Sequence, residues 1–292
     1  MNINDLLIYG RKYLLESNTN ISNIPLKVRL LAEHILNMNK FDLVINHTKE
    51  INEYDIEKFK SGLEKIKNNV PIQYITNNQE FMKLNFYVDE NVLIPQPDTE
   101  ILVEEVIKYC QTLPNTNTIK ILDLCTGSGA IAISLAKYID NCEVTATDIS
   151  NKALQIAKLN AEKNLVHTKM NFIESDMFTN IPLNKYDIIV SNPPYIESSI
   201  IPSLDAEVQK EPHIALDGGI DGLDFYKIII NTAPSYLTEN GKLFLEIGYD
   251  QKDSLLHLIA DSNNLENATC VKDLANNDRV IITNKNEKNI NN

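Results

Sequence analysis

Apolar side chains recur at three- and four-residue steps through residues 3–70. Leu6, Leu7 and Leu14 mark one helix, Val28, Leu31 and Ile35 a second, and Ile56, Phe59, Leu63 and Ile66 another. Steps of this length put the apolar groups on one helical face. Breaks are expected near Asn18–Asn23 and Asn39–Phe41, so the pattern predicts a small helical bundle over residues 1–70. Between 71 and 97 the period shortens. Gln73-Tyr74-Ile75, Glu80-Phe81 and Phe86-Tyr87-Val88 are β-prone runs, separated by Asn77-Asn78 and Asp89-Glu90-Asn91, which suit turns. They predict one or two hairpins bridging two domains. Pro95 and Pro97 end the extended stretch, and Asp98 or Thr99 is placed to cap a helix carrying Ile101, Val103, Val106 and Ile107.

From Lys120 onward strands and helices alternate. Strands are expected at Lys120–Leu124, Glu143–Thr147, Asn171–Glu174, Tyr186–Ser191 and Lys242–Gly248. Helices are expected at Ala130–Tyr138, after Ser150 as a cap (with Leu154, Ala157 and Ala161), and near Leu223–Tyr236 and Gln251–Ala260. Two more strands, near Thr269–Lys272 and Arg279–Thr283, have no helix between them and should pair antiparallel. Repeated βαβ units imply an α/β fold, a mostly parallel, doubly wound sheet with helices on both faces. The polar tail Asn284–Asn292 is expected to be disordered.

Charge narrows the partners. The net charge of −13 is uneven: residues 1–70 carry +1 and the remainder −14. A field of that sign repels a phosphate backbone and disfavours nonspecific duplex binding. No apolar run is long enough to span a bilayer, and Met1-Asn2-Ile3-Asn4-Asp5 lacks the basic start of a secretory leader. Cys110, Cys125, Cys142 and Cys270 show no CxxC spacing. Neither a metal site nor a disulfide framework is expected, and a cytoplasmic location is.

Two motifs carry chemistry. In Ile121-Leu122-Asp123-Leu124-Cys125-Thr126-Gly127-Ser128-Gly129-Ala130, a strand runs through a tight turn into a helix. Gly127-x-Gly129-x-x-Ala132 fits the dinucleotide fingerprint, and Asp148 ends the next strand 19 residues after Gly129, where a carboxylate can accept both ribose hydroxyls. Together these point to a nucleoside cofactor. Asp123, just before the glycines, suits a cationic ligand such as S-adenosylmethionine better than a pyrophosphate; alternatively it caps the turn.

The second motif, Ser191-Asn192-Pro193-Pro194-Tyr195, follows a buried strand. Two prolines force the chain out of the sheet at its carboxyl edge, where α/β ligands sit. The Asn192 side-chain oxygen and the Pro193 carbonyl are two acceptors for the protons of a planar –NH₂ group, and the Tyr195 ring can stack on the group bearing it. Aiming an amide nitrogen at an electrophile in this way contributes on the order of 7–11 kcal/mol. No histidine lies in either motif. The proton can leave after transfer, so no strong base is required.

With these residues in place, the chain resembles the class I S-adenosylmethionine-dependent methyltransferases that act on planar amino groups. More closely, it resembles the bacterial release-factor glutamine N5-methyltransferases. Further stretches carry that similarity: Pro71–Ile75 with Glu80-Phe81, Val92-Leu93-Ile94-Pro95-Gln96-Pro97-Asp98-Thr99-Glu100, Glu211-Pro212 with Ala215–Gly219, Asp221–Leu223 with Tyr226, and Lys272-Asp273 with Asp278–Val280. The resemblance implies a Rossmann-like methyltransferase domain of seven strands over 98–284, the last antiparallel. It is preceded by a helical bundle at 1–70 that binds the partner and a β-hairpin linker at 71–97; residues 285–292 are a tail. It implies methyl transfer to the glutamine of the Gly-Gly-Gln motif in class-1 peptide-chain release factors, with S-adenosylmethionine as donor. Asp123, Cys125, Thr126, Gly127, Ser128, Gly129, Asp148, Met177 and Asn192 would hold the cofactor. Asn192, Pro193, Pro194 and Tyr195 would hold the substrate, and Asn192, Pro193 and Tyr195 would act in catalysis. Four positions depart from the family's pattern: Cys125 and Asn77 replace Gly, Gln96 replaces Arg and Met177 replaces Trp. A monomer with no direct nucleic-acid or membrane partner is expected. The same turn also serves adenine-N6 methyltransferases. The motifs leave room as well for a noncatalytic module that docks a translation factor and, more distantly, for a nicotinamide oxidoreductase.

Overall fold

An asparagine side chain caps three of the first four helices. In a computed structural model, which describes residues 1–17, 20–114 and 117–286, Asn2 and Asp5 form a capping box at α1 (Ile3–Glu16). Helix α2 (Ile24–Leu36) opens with Pro25 in its first turn. Asn39 and Asp42 form a second capping box at α3 (Lys40–Ile45), and Asn52 caps α4 (Glu53–Lys67). The break expected at Asn39–Phe41 is thus a helix start. The one expected at Asn18–Asn23 lies partly outside the described residues. Leu6, Leu14, Val28, Leu31, Phe59, Leu63 and Ile66 are buried together, as their spacing predicts.

Residues Gln73–Ile75 do not form a strand. They lie in α5 (Ile72–Thr76), where packing of Ile72 and Ile75 against the bundle overrides their β propensity. The compact unit so formed runs from Met1 to Asn78 and includes Asp205–Lys210. Within it the buried Lys27 ammonium pairs with Glu207.

The second unit comprises Gln79–Leu204 and the chain from Glu211 on. It opens with one hairpin, β1 (Gln79–Phe81) and β2 (Leu84–Phe86), turned by Met82 and Lys83 at φ 50° and 58°. Asn77-Asn78 is not that turn; Asn77 ends α5 in a left-handed conformation. Seven strands then form the sheet: β3 (Ile119–Leu124), β4 (Cys142–Asp148), β5 (Met170–Glu174), β6 (Tyr186–Ser191), β7 (Leu237–Glu246), β8 (Leu265–Lys272) and β9 (Asp278–Lys285). Their order is β5-β4-β3-β6-β7-β9-β8, with β9 alone running against its neighbours. Helices α6 (Glu100–Cys110), α7 (Ala130–Tyr138), α8 (Asn151–Lys163), α9 (Asp224–Tyr236) and α10 (Lys252–Ser262) complete the unit.

Some boundaries move. β8 starts four residues earlier than its pattern suggests, because a bulge between Glu266 and Thr269, with Asn267 at φ 55°, breaks the alternation. β9 reaches Lys285, so residues 284 and 285 are strand and Asn286 bonds the Asn264 carbonyl; residues 287–292 lie outside the described residues. Neither Asp98 nor Thr99 caps α6. A 3-10 turn at Pro97–Thr99 runs into the helix, Asp98 pairs with Arg279 at 3.2 Å, and the Thr99 hydroxyl is used elsewhere. Among the described residues no helix is long and apolar enough to cross a membrane.

Candidate active site

The sheet order reverses between β3 and β6, which pair directly with Leu124 opposite Ser191. Such a switch point opens a crevice at the carboxyl ends of the strands. The turn after β3 is left-handed three times, at Cys125 (φ 59°), Gly127 (55°) and Gly129 (82°). The Thr126 amide donates to the Thr147 carbonyl at 2.9 Å, and the Gly129 amide to the Thr126 carbonyl at 2.8 Å. The two glycines serve different ends. A Cβ on Gly129 would stand 2.8 Å from Ile133 and 3.1 Å from Ala157, closing the approach of α7 to α8. A Cβ on Gly127 would meet nothing within 4 Å, because this residue faces open space.

Asp148 braces the turn. Its Oδ2 accepts the Gly127 amide and its Oδ1 the Ser150 amide, each at 2.9 Å. Burial raises its pKa, while these amides pull it down. Each oxygen retains a lone pair toward the cavity that Asp148 lines. Asn160 of α8 carries no sequence motif. Fully buried, it accepts the Tyr87 amide at 2.6 Å and donates to the carbonyls of Tyr87 and Ser128 at 2.9 Å each.

Asp123 is a correction. It is fully buried beneath the turn and lines neither of the two spaces described below. It accepts the Thr126 hydroxyl at 2.6 Å, while its Oδ1 has no partner. Desolvation pushes its pKa up to about 7 against the pull of that hydroxyl. Its role is the turn-capping one.

The diproline corner lies beside the glycine turn. The Ser191 hydroxyl donates to the Leu124 carbonyl at 2.9 Å, tying the two strand ends together. The next residue, Asn192, borders two spaces. One is a cavity of about 430 Å³ that Cys125, Gly127, Asp148, Met177 and Pro194 also line. The other is a recess of about 50 Å³ between Thr99, Thr126, Ser128 and Gln96. Gly129 and the buried Pro193 border neither. Tyr195 also borders neither. Its ring packs on the core and its carbonyl accepts from the Gln251 side chain at 2.9 Å, so it braces the corner.

The cavity walls hold Asp148, Asp176 and Asp224 and no lysine or arginine. A pyrophosphate there would face carboxylates without a counter-charge, whereas a cationic ligand is matched. The volume lies in the range of small-molecule sites, about 300–1,000 Å³. The residues therefore fit a nucleoside bearing a sulfonium. Sequence reasoning missed the apolar wall from Ile214, Phe225 and Ile228. The i, i+3 spacing of the last two was the available signal. Cys125 is held by burial well above the usual thiol range and lies 3.9 Å from the Met177 sulfur, a packing residue and no nucleophile. Among the described residues no group of side chains is arranged to hold a metal ion.

Comparisons with known proteins agree with this geometry. Residues 105–206 match the Methyltransferase small domain and residues 5–76 the PrmC N-terminal domain. A release factor glutamine methyltransferase from Clostridium botulinum is 38% identical over 284 residues, covering 96% of this chain and 98% of that protein. The one from Clostridium acetobutylicum is 38% identical over 291 residues, covering 97% and 98%. Among solved structures, the hMettl16 catalytic domain superposes with a TM-score of 0.54 at 15% identity, covering 80% of this chain and 82% of that one, which speaks to the fold alone. A Rossmann-like sheet and a near-full-length match of this kind have one meaning: the chain belongs to the release factor glutamine methyltransferase family.

Proposed function

We propose that this protein methylates the side-chain amide nitrogen of the glutamine in the Gly-Gly-Gln motif of class-1 peptide-chain release factors, with S-adenosylmethionine as donor. The observation that carries this is the place of Asn192, in the wall common to the large cavity and the narrow recess. The cavity takes the donor and the recess the acceptor, so the two meet at one carboxamide. The recess has room for roughly four waters. That suits the tip of a glutamine side chain.

S-adenosylmethionine, when bound, supplies an electrophilic methyl group on a positively charged sulfur. The protein's own groups do the rest. Asp148 accepts the ribose hydroxyls, and the Cys125–Gly129 turn gives close approach. Met177 and Ile149 offer apolar surface to the base. Asn192 Oδ1 accepts one amide N–H of the substrate, which helps orient the nitrogen lone pair toward the cavity. Pro194 and Tyr195 hold the corner rigid. No histidine lines either space among the described residues, in keeping with loss of the proton after transfer.

On this reading the helical unit docks the release factor, and the enzyme acts as a cytoplasmic monomer on protein. The acidic −14 balance beyond residue 70 disfavours nucleic acid. The test is incubation with a folded class-1 release factor and S-adenosylmethionine, followed by mass spectrometry of the Gly-Gly-Gln peptide. One added methyl on the glutamine is expected. Methyl incorporation into nucleic acid with none into release factor would establish adenine methylation instead.

A further inference from the structure

Besides the glycine turn, the start of α7 and Asn192, the recess is bordered by Leu93, Pro95, Gln96 and Thr99. Residues 87–96 run outside any helix or strand until the 3-10 turn Pro97–Thr99. A stretch with no ladder of its own takes its position from side chains elsewhere. Glu211 accepts the Ile94 amide at 2.8 Å, and Gln79 donates to the Pro95 carbonyl at 3.1 Å. At the far end the Asp98 carboxylate meets Arg279 Nη2 at 3.2 Å. Arg279 is buried on a fixed base. Its Nε and Nη2 donate to Asp273 Oδ2 at 3.2 and 3.0 Å, and its Nη1 to the Ile247 carbonyl at 3.2 Å. Asp273 is held in turn by the Ala275 and Asn277 amides, each at 2.9 Å. Asp273 already balances the buried guanidinium, so Asp98 is not needed for that. Asp98 is 55% exposed, and so open an ion pair adds little stability. Its consequence is positional. Asp98 and Thr99 are successive residues of one tight turn. The first meets Arg279; the second borders the recess, with its hydroxyl 3.3 Å from the Asn192 side-chain nitrogen.

Resting on the proposed activity, we propose that Arg279 and Asp98 are positioning residues for the acceptor: the guanidinium, braced on Asp273 and the chain just after β7, pins the Pro97–Thr99 turn and so sets the width of the recess that takes the glutamine amide. Neither group touches the reacting atoms. Neither borders the large cavity, so the tie serves the acceptor and not the donor. A planar guanidinium suits the task, since its fork reaches two carboxylates and a carbonyl at once, which a lysine ammonium on a flexible stem does not reproduce.

The experiment uses the full-length protein as wild type, Asp98→Ala, Asp98→Asn, Arg279→Lys and the double variant Asp98→Ala/Arg279→Lys. Hydrogen–deuterium exchange of the free enzyme reads the tie directly. Amides of residues 93–100 should exchange several-fold faster in Asp98→Ala, while its melting temperature stays within about 3 °C of wild type. With intact class-1 release factor, Asp98→Ala should lower kcat/KM by about 10- to 100-fold, the scale of a misplaced reacting group. The dissociation constant for S-adenosylmethionine should stay within about twofold. Asp98→Asn, which keeps an acceptor oxygen, should recover most of the loss. Arg279→Lys should match Asp98→Ala, and the double variant should be no worse than the poorer single one. Wild-type exchange over 93–100 in Asp98→Ala, or wild-type kcat/KM, overturns the proposal. So does a loss in Asp98→Ala that adds in full to that of Arg279→Lys, the mark of a direct contact between Asp98 and the substrate. If Arg279→Lys does not fold, exchange and kinetics of Asp98→Ala and Asp98→Asn decide by themselves. A wild type inert on release factor sinks the underlying activity, while the exchange result still tests the tie.

Discussion

Replacing Asn160 by leucine tests how the cofactor turn is held. The side chain is fully buried and makes three hydrogen bonds, at 2.6, 2.9 and 2.9 Å, to the Tyr87 amide, the Tyr87 carbonyl and the Ser128 carbonyl. Leucine is close in size, so little cavity forms and the cost is chiefly polar. Each group left short of its partner costs about 1–3 kcal/mol, which puts the total for the three near 3–9 kcal/mol, a large part of the ~5–15 kcal/mol that stabilises a domain. At about 2–4 °C per kcal/mol for a unit of this size, melting should fall by roughly 10 °C or more. Cofactor affinity should fall too, because Ser128 belongs to the glycine turn and Tyr87 leads into the cavity wall at Asn91–Leu93. Asn160→Asp sharpens the test. It keeps the acceptor for the Tyr87 amide but turns an oxygen toward two carbonyls. Burial holds the pKa of such a carboxyl above its unfolded value, so its deficit against wild type should be smaller at pH 5 than at pH 8. Thermal melts by circular dichroism at both pH values, with calorimetric titration of S-adenosylmethionine, measure all of this. An Asn160→Leu protein melting within about 2 °C of wild type would refute the reasoning.

Asn192→Ala should abolish most release-factor methylation, by about 10²–10³-fold in kcat, while binding of S-adenosylmethionine by calorimetry changes little. Gly127→Ala and Gly129→Ala should separate binding from stability. The first puts a methyl toward the open cavity and weakens cofactor affinity with a small strain cost of about 1–2 kcal/mol. The second drives a methyl to 2.8 Å from Ile133 and lowers the melting temperature more. Glu211, buried and accepting the Ile94 amide at 2.8 Å, has its pKa pushed up to about 7 by burial. Its folded pKa exceeds the unfolded one, so its stabilising contribution is complete below about pH 4.5 and is lost as pH rises through 7. Over that window this amounts to about 3 kcal/mol. Chemical denaturation of Glu211→Gln against wild type across pH 4.5–8 should show the slope only in wild type.

Much of the fold was legible because its signal is periodic. The 3.6-residue spacing of Ile56, Phe59, Leu63 and Ile66 and the buried run Ile188–Val190 each specify an element without tertiary information. Gln73–Ile75 departs from its local pattern because burial against the bundle outweighs local propensity. The hairpin turn carries no sequence signal because Met82 and Lys83 take left-handed angles that no Gly or Asn advertises. The departures at Cys125 and Asn77 have a clear meaning in structure. Both sit at positive φ, 59° and 49°, a region where glycine is free of strain and where asparagine is the commonest substitute.

The active site divides along a different line. Residues whose backbone makes the turn (Gly127, Gly129, Pro194) were readable, since glycine and proline report backbone geometry directly. Polar residues acting through their side chains were not. Asp123 and Tyr195 carry groups that suit ligand contact, yet Asp123 binds the Thr126 hydroxyl beneath the turn and the Tyr195 ring packs on the core. Asn160 and Thr99 sit at helix positions with no motif of their own, and their partners lie 73 and 93 residues away in sequence: Tyr87 and Asn192. A lone sequence ranks polar residues by what they could donate or accept. Only packing decides whether that capacity faces a ligand or holds in place the residue that does. Of the two acids within the sequence motifs, Asp123 braces the turn from beneath and Asp148 is the one that lines the cavity.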